Sequence, residues 1–460
     1  MPHQTPTDRR GFSRRGFLKA AGAGAAAAAL PSIVPSSVFG AGAPSNRIHV
    51  ACIGTGNQGS GILRRFMEND DVRIVAVCDV NTASYGYRDE SQYLGREPAR
   101  KTVDEYYGKR AGNSTYKACR THIDFREVLA SGDVDAVTVV VPDQWHAIMT
   151  IRAAEAGKDI YCEKPLSLTI AQGRAMVEAV RKHGRILQTG SMERSSRLNQ
   201  HVCKLVRDGK IGQVKRVTTN VGFNNKVGPG PGWQPMPVPK GFDYDMWLGP
   251  APFVPYHEDR CLYRFRFNYD YSGGQVTNYG AHSNDLAQWG LGMDDSGPVE
   301  IEYRRAVWLP KGSLFNTALE TEFLCRYANG VELVCRTDKK PVGVRFEGTE
   351  GMVETMAYPW QARSEPASLI SAEFPSGKYS VDATSAHVRN FLDCVKSRQE
   401  PAAPVEVGHR SASLCHLGNV AIRLGRNVKW DPKREQFPGD DEANAMLARP
   451  LRAPWRLDAV

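Results

Sequence analysis

Short apolar runs alternate with amphipathic stretches through the first half of the chain. Residues 48–53 are almost continuously apolar, and residues 60–68 repeat apolar side chains at helical spacing. Strands that are apolar on both faces are typical of parallel sheets covered by helices on both sides. The pattern therefore predicts an α/β fold with a doubly wound parallel sheet over residues 44–190. Its other predicted elements are strands at 73–78, 136–141, 159–162 and 185–188, and helices at 144–156 and 169–183.

The second half has a different pattern, in which apolar and polar residues alternate as they do in half-buried strands. Asn329-Gly330 and the segment 348–351 separate some of these strands as hairpin turns. We therefore expect residues 191–460 to form a second, α+β domain with a largely antiparallel open sheet and a C-terminal tail. Strands are predicted at 214–223, 299–308, 318–326, 331–337 and 342–355, and helices at 197–208, 384–398 and 408–425.

Two segments follow neither pattern. Residues 81–120 contain eight Lys or Arg, five Asp or Glu and six Tyr, which predicts a solvated excursion, either an arm or a lid. Residues 225–260 are rich in Gly and Pro and contain Trp233 and Trp247. Because long loops inside a compact domain are usually functional, we predict that this second segment walls a binding site.

The first 43 residues have the features of an export signal. Residues 13–19 read Ser-Arg-Arg-Gly-Phe-Leu-Lys, the twin-arginine pattern, and a weakly hydrophobic Ala/Gly stretch follows at 20–30. Ala41-Gly42-Ala43 supplies a cleavage site. We predict that residues 1–43 are a signal peptide, that the Tat translocase is a partner during export, and that the mature protein is periplasmic or otherwise exported. A basic, Ala-rich helix is the alternative.

Composition and charge exclude several classes of protein. The chain has 460 residues, a formal charge of +9 and ordinary globular composition, and it contains no apolar run long enough for a stable membrane span. Removing residues 1–43 takes away five basic residues and one acidic residue, so the charge falls to +5 and no nucleic-acid partner is predicted. None of the ten Cys forms a C-x-x-C pair, so we predict buried thiols and no metal site. Cys325 and Cys335 are the one pair that we single out as a candidate disulfide.

A Gly-rich turn lies between the first predicted strand and helix. Its three glycines make the tight turn, let the backbone approach a pyrophosphate and let the helix pack on the strand, with the phosphates at the helix N-terminus. Asp79 ends the next strand at the spacing of a carboxylate that binds the adenosine ribose. Because Val80 and Asn81 follow it rather than Arg, NAD is favoured over NADP; a turn that binds another ligand is the alternative. The proposed cofactor-binding turn is Gly54-Thr55-Gly56-Asn57-Gln58-Gly59.

Three further motifs carry a resemblance to a known family. Glu163-Lys164-Pro165 follows a predicted strand, residues 142–146 read Pro-Asp-Gln-Trp-His, and residues 280–285 read Gly-Ala-His-Ser-Asn-Asp. Over essentially all of 47–430 the chain resembles the Gfo/Idh/MocA (glucose–fructose oxidoreductase, inositol dehydrogenase) superfamily, and its later part resembles the variant C-terminal domain of exported bacterial members. The resemblance implies a nicotinamide cofactor, redox chemistry at a sugar or polyol CH–OH group, and often a homo-oligomer.

The resemblance implies that Lys164 is catalytic and contacts both the cofactor ribose and the substrate hydroxyl. Oxidising a CH–OH carbon requires loss of the hydroxyl proton as well as a hydride, and an ammonium beside the hydroxyl lowers its pKa. Glu163 is expected to hold the nicotinamide ribose or to orient Lys164. Pro142 and His146 are assigned to the cofactor side of the site. The alternatives are that Lys164 is a surface lysine, that Glu163 is only its charged partner, and that His146 packs at the start of a helix.

His282 is the expected proton acceptor by its family position. If residues 278–290 are helical, Asn278, His282 and Asp285 lie on one face, and Asp285 orients the imidazole or binds a substrate hydroxyl. Relatives similar to inositol dehydrogenase carry Asp where this chain has Asn278, and an amide supports a developing imidazolium less well than a carboxylate. A pair of His282 with a carboxylate, as those relatives have, therefore depends on Asp285 in this chain. Further candidates for substrate contacts are Arg194, Asn278, Tyr279 and Trp145.

Export limits the chemistry that the protein performs, because no soluble nicotinamide pool exists outside the inner membrane. The first hypothesis is an NAD-dependent sugar or polyol oxidoreductase that holds its cofactor tightly. The second is a redox-neutral, NAD-dependent glycoside hydrolase, in which transient oxidation of a sugar hydroxyl permits elimination of an aglycone. The third is a non-catalytic protein that binds NAD or a sugar.

Overall fold

The first sheet of the computed structural model is the parallel sheet predicted from the sequence. The structure describes residues 47–223, 227–339, 341–356, 361–376 and 382–458. The predicted signal peptide lies outside these residues. The spatial order is β3-β2-β1-β4-β5-β6, so the order of the strands reverses between β1 and β4. Ligands bind at such a reversal, beyond the carboxyl ends of the strands. The strands are β1 (Ile48–Ile53), β2 (Val72–Cys78), β3 (Arg120–His122), β4 (Ala136–Val139), β5 (Asp159–Cys162) and β6 (Leu187–Thr189).

Helices connect these strands and cover both faces of the sheet. The first begins at Asn57, within the Gly-rich segment, and buries Ile62, Leu63, Phe66 and Met67 against the strands, as their spacing predicts. The helices of this half are α1 (Asn57–Met67), α2 (Arg96–Ala111), α3 (Phe125–Leu129), α4 (Asp143–Glu155) and α5 (Ile170–Lys182).

The prediction of a solvated excursion at 81–120 is wrong for its second half. Helix α2 packs on the sheet through Ala99, Val103 and Tyr107, which are buried at helical spacing. The Tyr107 hydroxyl also accepts a hydrogen bond from the backbone N–H of Ile74 in β2, at 3.0 Å. The many charged residues of the helix obscured its narrow apolar stripe, because they occupy its other faces.

The second sheet has eight strands and is mostly antiparallel, as predicted. Its order is β13-β12-β11-β7-β10-β9-β8-β14, and among the strand pairs of the described residues only β7 and β10 are parallel. The strands are β7 (Val214–Asn220), β8 (Glu300–Val307), β9 (Glu320–Arg326), β10 (Glu332–Arg336), β11 (Gly343–Gly348), β12 (Met352–Met356), β13 (Gln361–Glu365) and β14 (Val428–Lys429).

The expected single helix at 278–290 is interrupted at Tyr279, so Asn278 ends one helix and His282 lies in the first turn of the next. The helices of this half are α6 (Arg197–Arg207), α7 (Tyr244–Leu248), α8 (Gln275–Asn278), α9 (Gly280–Gly290), α10 (Ser368–Ser371), α11 (Ala383–Ser397), α12 (Val405–Leu424) and α13 (Asp441–Asn444). Short 3-10 helices lie at Met192–Ser195, Glu258–Arg260 and Arg264–Phe267.

Two helices from late in the chain return to cover the first sheet. Phe391 of α11 packs edge-on against Phe66 of α1 and Tyr161 of β5, with ring centroids 6.0 and 5.9 Å apart. Val405 and Ala412 of α12 join the core on the other face of that sheet. The two halves of the sequence therefore share their hydrophobic cores.

All ten cysteines are buried free thiols, as expected. The candidate pair lies on adjacent strands but out of register, because Cys325 is opposite Leu333 and Cys335 is opposite Phe323. Among the helices that the structure describes, none has the length and apolar character needed to cross a membrane.

Candidate active site

A cavity of about 460 Å³ lies where the order of the first sheet reverses. It is bordered by the Gly-rich turn after β1, by the segments that follow β2, β4 and β5, and by the start of α9. The cavity thus joins residues from both halves of the chain. Of the residues proposed from the sequence, those that line it are Gly54, Gly56, Asn57, Gln58, Gly59, Asp79, Pro142, Trp145, Glu163, Lys164, Asn278, Tyr279 and His282.

The Gly-rich turn has the close backbone packing that its sequence requires. Gly54 has φ +85°, and a Cβ on Gly59 would lie 2.0 Å from the carbonyl oxygen of Gly54. Asp79 stabilises the turn, because its Oδ2 accepts hydrogen bonds from the Thr55 N–H at 2.7 Å and from Thr55 Oγ1 at 3.0 Å. Burial raises the pKa of the Asp79 carboxyl, although these hydrogen bonds oppose the shift. The turn opens α1 toward the cavity, so these residues fit a dinucleotide with its pyrophosphate at the N-terminus of α1.

Glu163 and Lys164 follow β5 and lie on the cavity wall. Glu163 accepts hydrogen bonds from Gln58 Nε2 at 3.2 Å and from the backbone N–H of Lys164 at 3.1 Å. The Lys164 ammonium donates to the backbone oxygen of Asn278 at 3.0 Å and to its Oδ1 at 3.2 Å. Burial lowers the pKa of Lys164, and the charge of Arg266 acts in the same direction against that of Glu163. The ammonium is therefore held at a fixed point between the two halves of the chain.

His282 is brought to the same cavity as Lys164. Burial, together with the nearby Lys164 ammonium, lowers the pKa of His282 well below its usual 6.5, so the imidazole is neutral at neutral pH and able to accept a proton. A carboxylate lies beside it, since Glu193 Oε1 is 3.9 Å from His282 Nδ1. Glu193 is fully buried and accepts a hydrogen bond from Asn199 at 2.7 Å. Sequence reasoning missed Glu193, because only the fold brings its 3-10 helix to α9.

Asp285 and Arg194 lie away from the cavity and bind one another. Arg194 Nε is 3.0 Å from both carboxylate oxygens of Asp285, and Asp294 and Ser411 complete the network. The side chains of Arg194 and Asp285 are only 2% and 1% exposed. The ion pair ties the 3-10 helix that carries Glu193 to the helix that carries His282.

His146 also turns away from the cavity, and its ring is held between two backbone carbonyls. Its Nδ1 is 2.8 Å from the Pro165 oxygen and its Nε2 is 2.9 Å from the Val141 oxygen. Burial opposes charge on the ring, but Cys162, Asp143 and the Pro165 carbonyl raise the pKa of His146 to about 10. An imidazolium that donates from both nitrogens fits this position, where it fastens the segment after β4 to the segment after β5.

Several residues that line the cavity were not singled out from the sequence. Tyr87 and Arg88 come from the segment expected to be an arm or lid, and Arg266 comes from the 3-10 helix at Arg264–Phe267. A Cβ on Gly56 would lie 2.6 Å from Tyr87 Cε1, so this tyrosine packs directly on the Gly-rich turn. Of the predicted loop at 225–260, Phe242, Met246 and Trp247 line the cavity, whereas Trp233 is not among its lining residues. A signal for the arginine was present in the alternation Tyr-Arg-Phe-Arg-Phe at 263–267.

Comparison with family models gives three matches. A model described as an oxidoreductase family, NAD-binding Rossmann fold (Gfo/Idh/MocA), matches residues 48–191, and one described as the C-terminal alpha/beta domain of the same oxidoreductase family matches residues 196–457. A twin-arginine translocation signal matches residues 11–31. This last match confirms the predicted export through the twin-arginine pathway, and it is consistent with a periplasmic location.

Three individual proteins that are similar in sequence or structure share 24–30% sequence identity with this chain. A scyllo-inositol 2-dehydrogenase (NAD(+)) of Bacillus subtilis is 27% identical over 67% of this chain and 81% of its own length. A glycosyl hydrolase family 109 protein of Shewanella sp. (strain ANA-3) is 30% identical over 44% of each chain. The crystal structure of an aldose–aldose oxidoreductase from Caulobacter crescentus, complexed with glycerol, aligns with TM-score 0.61 and 24% identity over 83% of this chain and 99% of that one.

Proposed function

The chain belongs to the Gfo/Idh/MocA oxidoreductase family, and from that premise we propose that it oxidises a CH–OH group of a sugar or polyol with an NAD that it holds tightly. The Rossmann domain is NAD-binding, and the family supports an oxidoreductase. The observation that carries the proposal is that Lys164 and His282 line the same cavity as the Gly-rich turn. The inositol and aldose enzymes among its relatives support the substrate class.

NAD, when bound, supplies the hydride acceptor, and the chain's own residues manage the proton and the position of the substrate. Lys164 binds the substrate hydroxyl and lowers its pKa, because a positive charge stabilises the developing alkoxide. His282 accepts the hydroxyl proton, which its lowered pKa permits at neutral pH. Glu193 stabilises the imidazolium that forms, from 3.9 Å away. Asn278 holds the Lys164 ammonium, so in this chain it positions the lysine rather than supporting the histidine.

Export supports the proposal that NAD is held tightly. A protein that is folded before translocation carries its cofactor across the membrane, and outside it no soluble pool replaces a lost nucleotide. Tyr87 supports retention from within the cavity, since it packs on Gly56 and its hydroxyl accepts a hydrogen bond from Asn81 at 3.0 Å. A tightly held NAD would have to be returned to its oxidised form on the protein, by a second substrate or a carrier that accepts the hydride.

The test is to purify the exported protein, unfold it and identify the released nucleotide by mass spectrometry. About one NAD per chain after gel filtration is expected, and protein purified without nucleotide contradicts tight retention. A panel of sugars and polyols is then added to the loaded protein while the absorbance of reduced nicotinamide is recorded. Reduction by at least one member supports the oxidoreductase.

A second candidate function is the redox-neutral glycoside hydrolase, which the similarity to a glycosyl hydrolase family 109 protein favours. Cleavage of an aryl glycoside, with no net accumulation of reduced nicotinamide, would replace the first proposal by this one. A protein that binds NAD or a sugar without catalysis would show neither reaction.

A further inference from the structure

Arg266 lies in the wall of the cavity, where aromatic rings of its own segment hold its side chain. Its guanidinium carbon is 4.2 Å from the ring centroid of Tyr263 and 4.6 Å from that of Phe265, and one of its nitrogens donates to the Tyr263 carbonyl. These contacts hold the guanidinium against its own 3-10 helix. Within the described residues it forms no ion pair with a carboxylate, although it retains its charge and has further N–H donors.

A second guanidinium stands close to the first. Arg88 lines the same cavity and its charge acts on Arg266, yet it too has no ion pair in the described part of the chain. Two like charges in one wall repel each other, and neither neutralises the other. Arg88 is exposed, so solvent screens part of this repulsion, and an anion bound between or beside the two groups would lower it further.

Carboxylates elsewhere in the cavity are already engaged. Asp79 binds the Gly-rich turn, Glu163 accepts from Gln58 and the Lys164 N–H, and Asp143 accepts a hydrogen bond from Ser272 Oγ at 2.6 Å. Asp79 and Glu163 are thus partners of the cofactor turn or of Lys164, whereas the charge of Asp143 acts on Arg266 without an ion-pair contact between them. Asp143 also acts on His146 and Lys164, so it does not neutralise Arg266 alone, and Arg266 keeps N–H donors for a ligand.

The position of Arg266 favours the substrate over the cofactor as the source of that anion. The backbone oxygen of Arg266 accepts a hydrogen bond from the Gly274 N–H at 2.9 Å, directly before the helix whose Asn278 holds Lys164. The charge of Arg266 also acts to lower the pKa of Lys164. The turn that receives the pyrophosphate, by contrast, is served by the free N–H groups of α1. Arg266 therefore belongs to the end of the cavity that holds the reacting hydroxyl.

We propose that Arg266, with Arg88, binds an anionic group of the substrate, so that the CH–OH compound oxidised is a sugar acid or a sugar phosphate. This inference rests on the proposed function, whose substrate class it narrows. A planar guanidinium matches a carboxylate or phosphate in a two-point contact that a neutral hydroxyl does not offer.

The experiment measures binding and so does not depend on turnover. Tryptophan fluorescence of the NAD-loaded protein, with Trp247 in the cavity wall, is titrated with matched pairs: D-glucuronate and D-glucose, D-galacturonate and D-galactose, and D-glucose 6-phosphate and D-glucose. The variants are Arg266→Gln, Arg266→Lys and, as a matched control, Arg434→Gln, whose side chain is 74% exposed and lies outside the cavity lining. The NAD content of each variant is measured in parallel.

The acidic member of at least one pair is expected to bind at least about tenfold more tightly than the neutral member. Arg266→Gln is expected to abolish this difference in affinity. The same variant should keep its NAD content and its affinity for neutral sugars within about threefold of the unaltered protein. Arg266→Lys should retain part of the preference for the acidic member, and Arg434→Gln should retain all of it. Equal or undetectable binding of both members of every pair overturns the proposal. Loss of NAD from Arg266→Gln with the acid preference intact also overturns it, because the arginine then serves the cofactor phosphates. Reduction of NAD by neutral sugars alone would contradict this inference, but it would still support the proposed oxidoreductase activity.

Discussion

Lys164 and Asn278 meet across the two halves of the chain, where the ammonium donates to the backbone oxygen at 3.0 Å and to the side-chain Oδ1 at 3.2 Å. The amide is neutral, so it fixes the ammonium without adding a negative charge that would raise its pKa. Burial and Arg266 instead lower the pKa of Lys164. The site thereby holds a cation in place while keeping its proton comparatively labile.

Replacing Asn278 should change the pH dependence of the reaction. Lys164 acts as the ammonium, so activity is lost as pH rises through its pKa. Asn278→Asp places a carboxylate beside the ammonium and raises that pKa, which should move the alkaline decline of kcat/KM upward by about one pH unit or more. Asn278→Ala keeps only the backbone acceptor and should not move the decline upward. If kcat/KM declines at the same alkaline pH in both variants, this contact does not govern the ionisation of Lys164.

Two glycines of α1 provide a matched test of the cofactor turn. A Cβ on Gly59 would lie 2.0 Å from the Gly54 carbonyl oxygen, whereas one on Gly61 would meet nothing within 4 Å. Gly59→Ala is therefore expected to open the turn and to reduce the NAD content of the purified protein at least tenfold. Gly61→Ala should retain NAD and be slightly more stable, by about 0.5–1 kcal/mol, since alanine favours a helix. Equal NAD content in the two variants would argue against a dinucleotide at this turn.

Asp285 should prove to stabilise the fold rather than to handle protons. Asp285→Ala leaves the Arg194 guanidinium buried without its main partner, which is expected to lower the free energy of unfolding by about 3–5 kcal/mol in a denaturant titration. The control is Asp294→Ala, which removes the other partner of the same arginine. Asp294 is 35% exposed, so its loss should cost less. Wild-type stability of Asp285→Ala, together with a hundredfold fall in kcat, would instead make Asp285 a catalytic group.

Local patterns predicted most of the first sheet and its cofactor turn. The strand at 159–162 and the helix at 169–183 agree with β5 and α5 to within a residue, because apolar runs and helical periodicity record burial directly. The placing of Glu163 and Lys164 on the cavity wall follows from their position directly after β5.

Contacts between distant segments could not be predicted in the same way. Asp285 was expected to orient His282, but it binds Arg194, which is 91 residues away in the sequence. Glu193 takes the place beside His282 through the same tertiary arrangement. Helical spacing specifies which residues share a face, and not which partner that face meets.

The most direct test of the central claim is a single-turnover measurement of reduced nicotinamide in the NAD-loaded protein after substrate is added. Lys164→Met and His282→Ala should each retain NAD and reduce it at least about a hundredfold more slowly than the unaltered protein. Lys101→Met, which alters a lysine that is 72% exposed on α2, should react normally. Unchanged reduction rates in Lys164→Met and His282→Ala would contradict the account, because the cavity between these two side chains would then not be where the hydroxyl is oxidised.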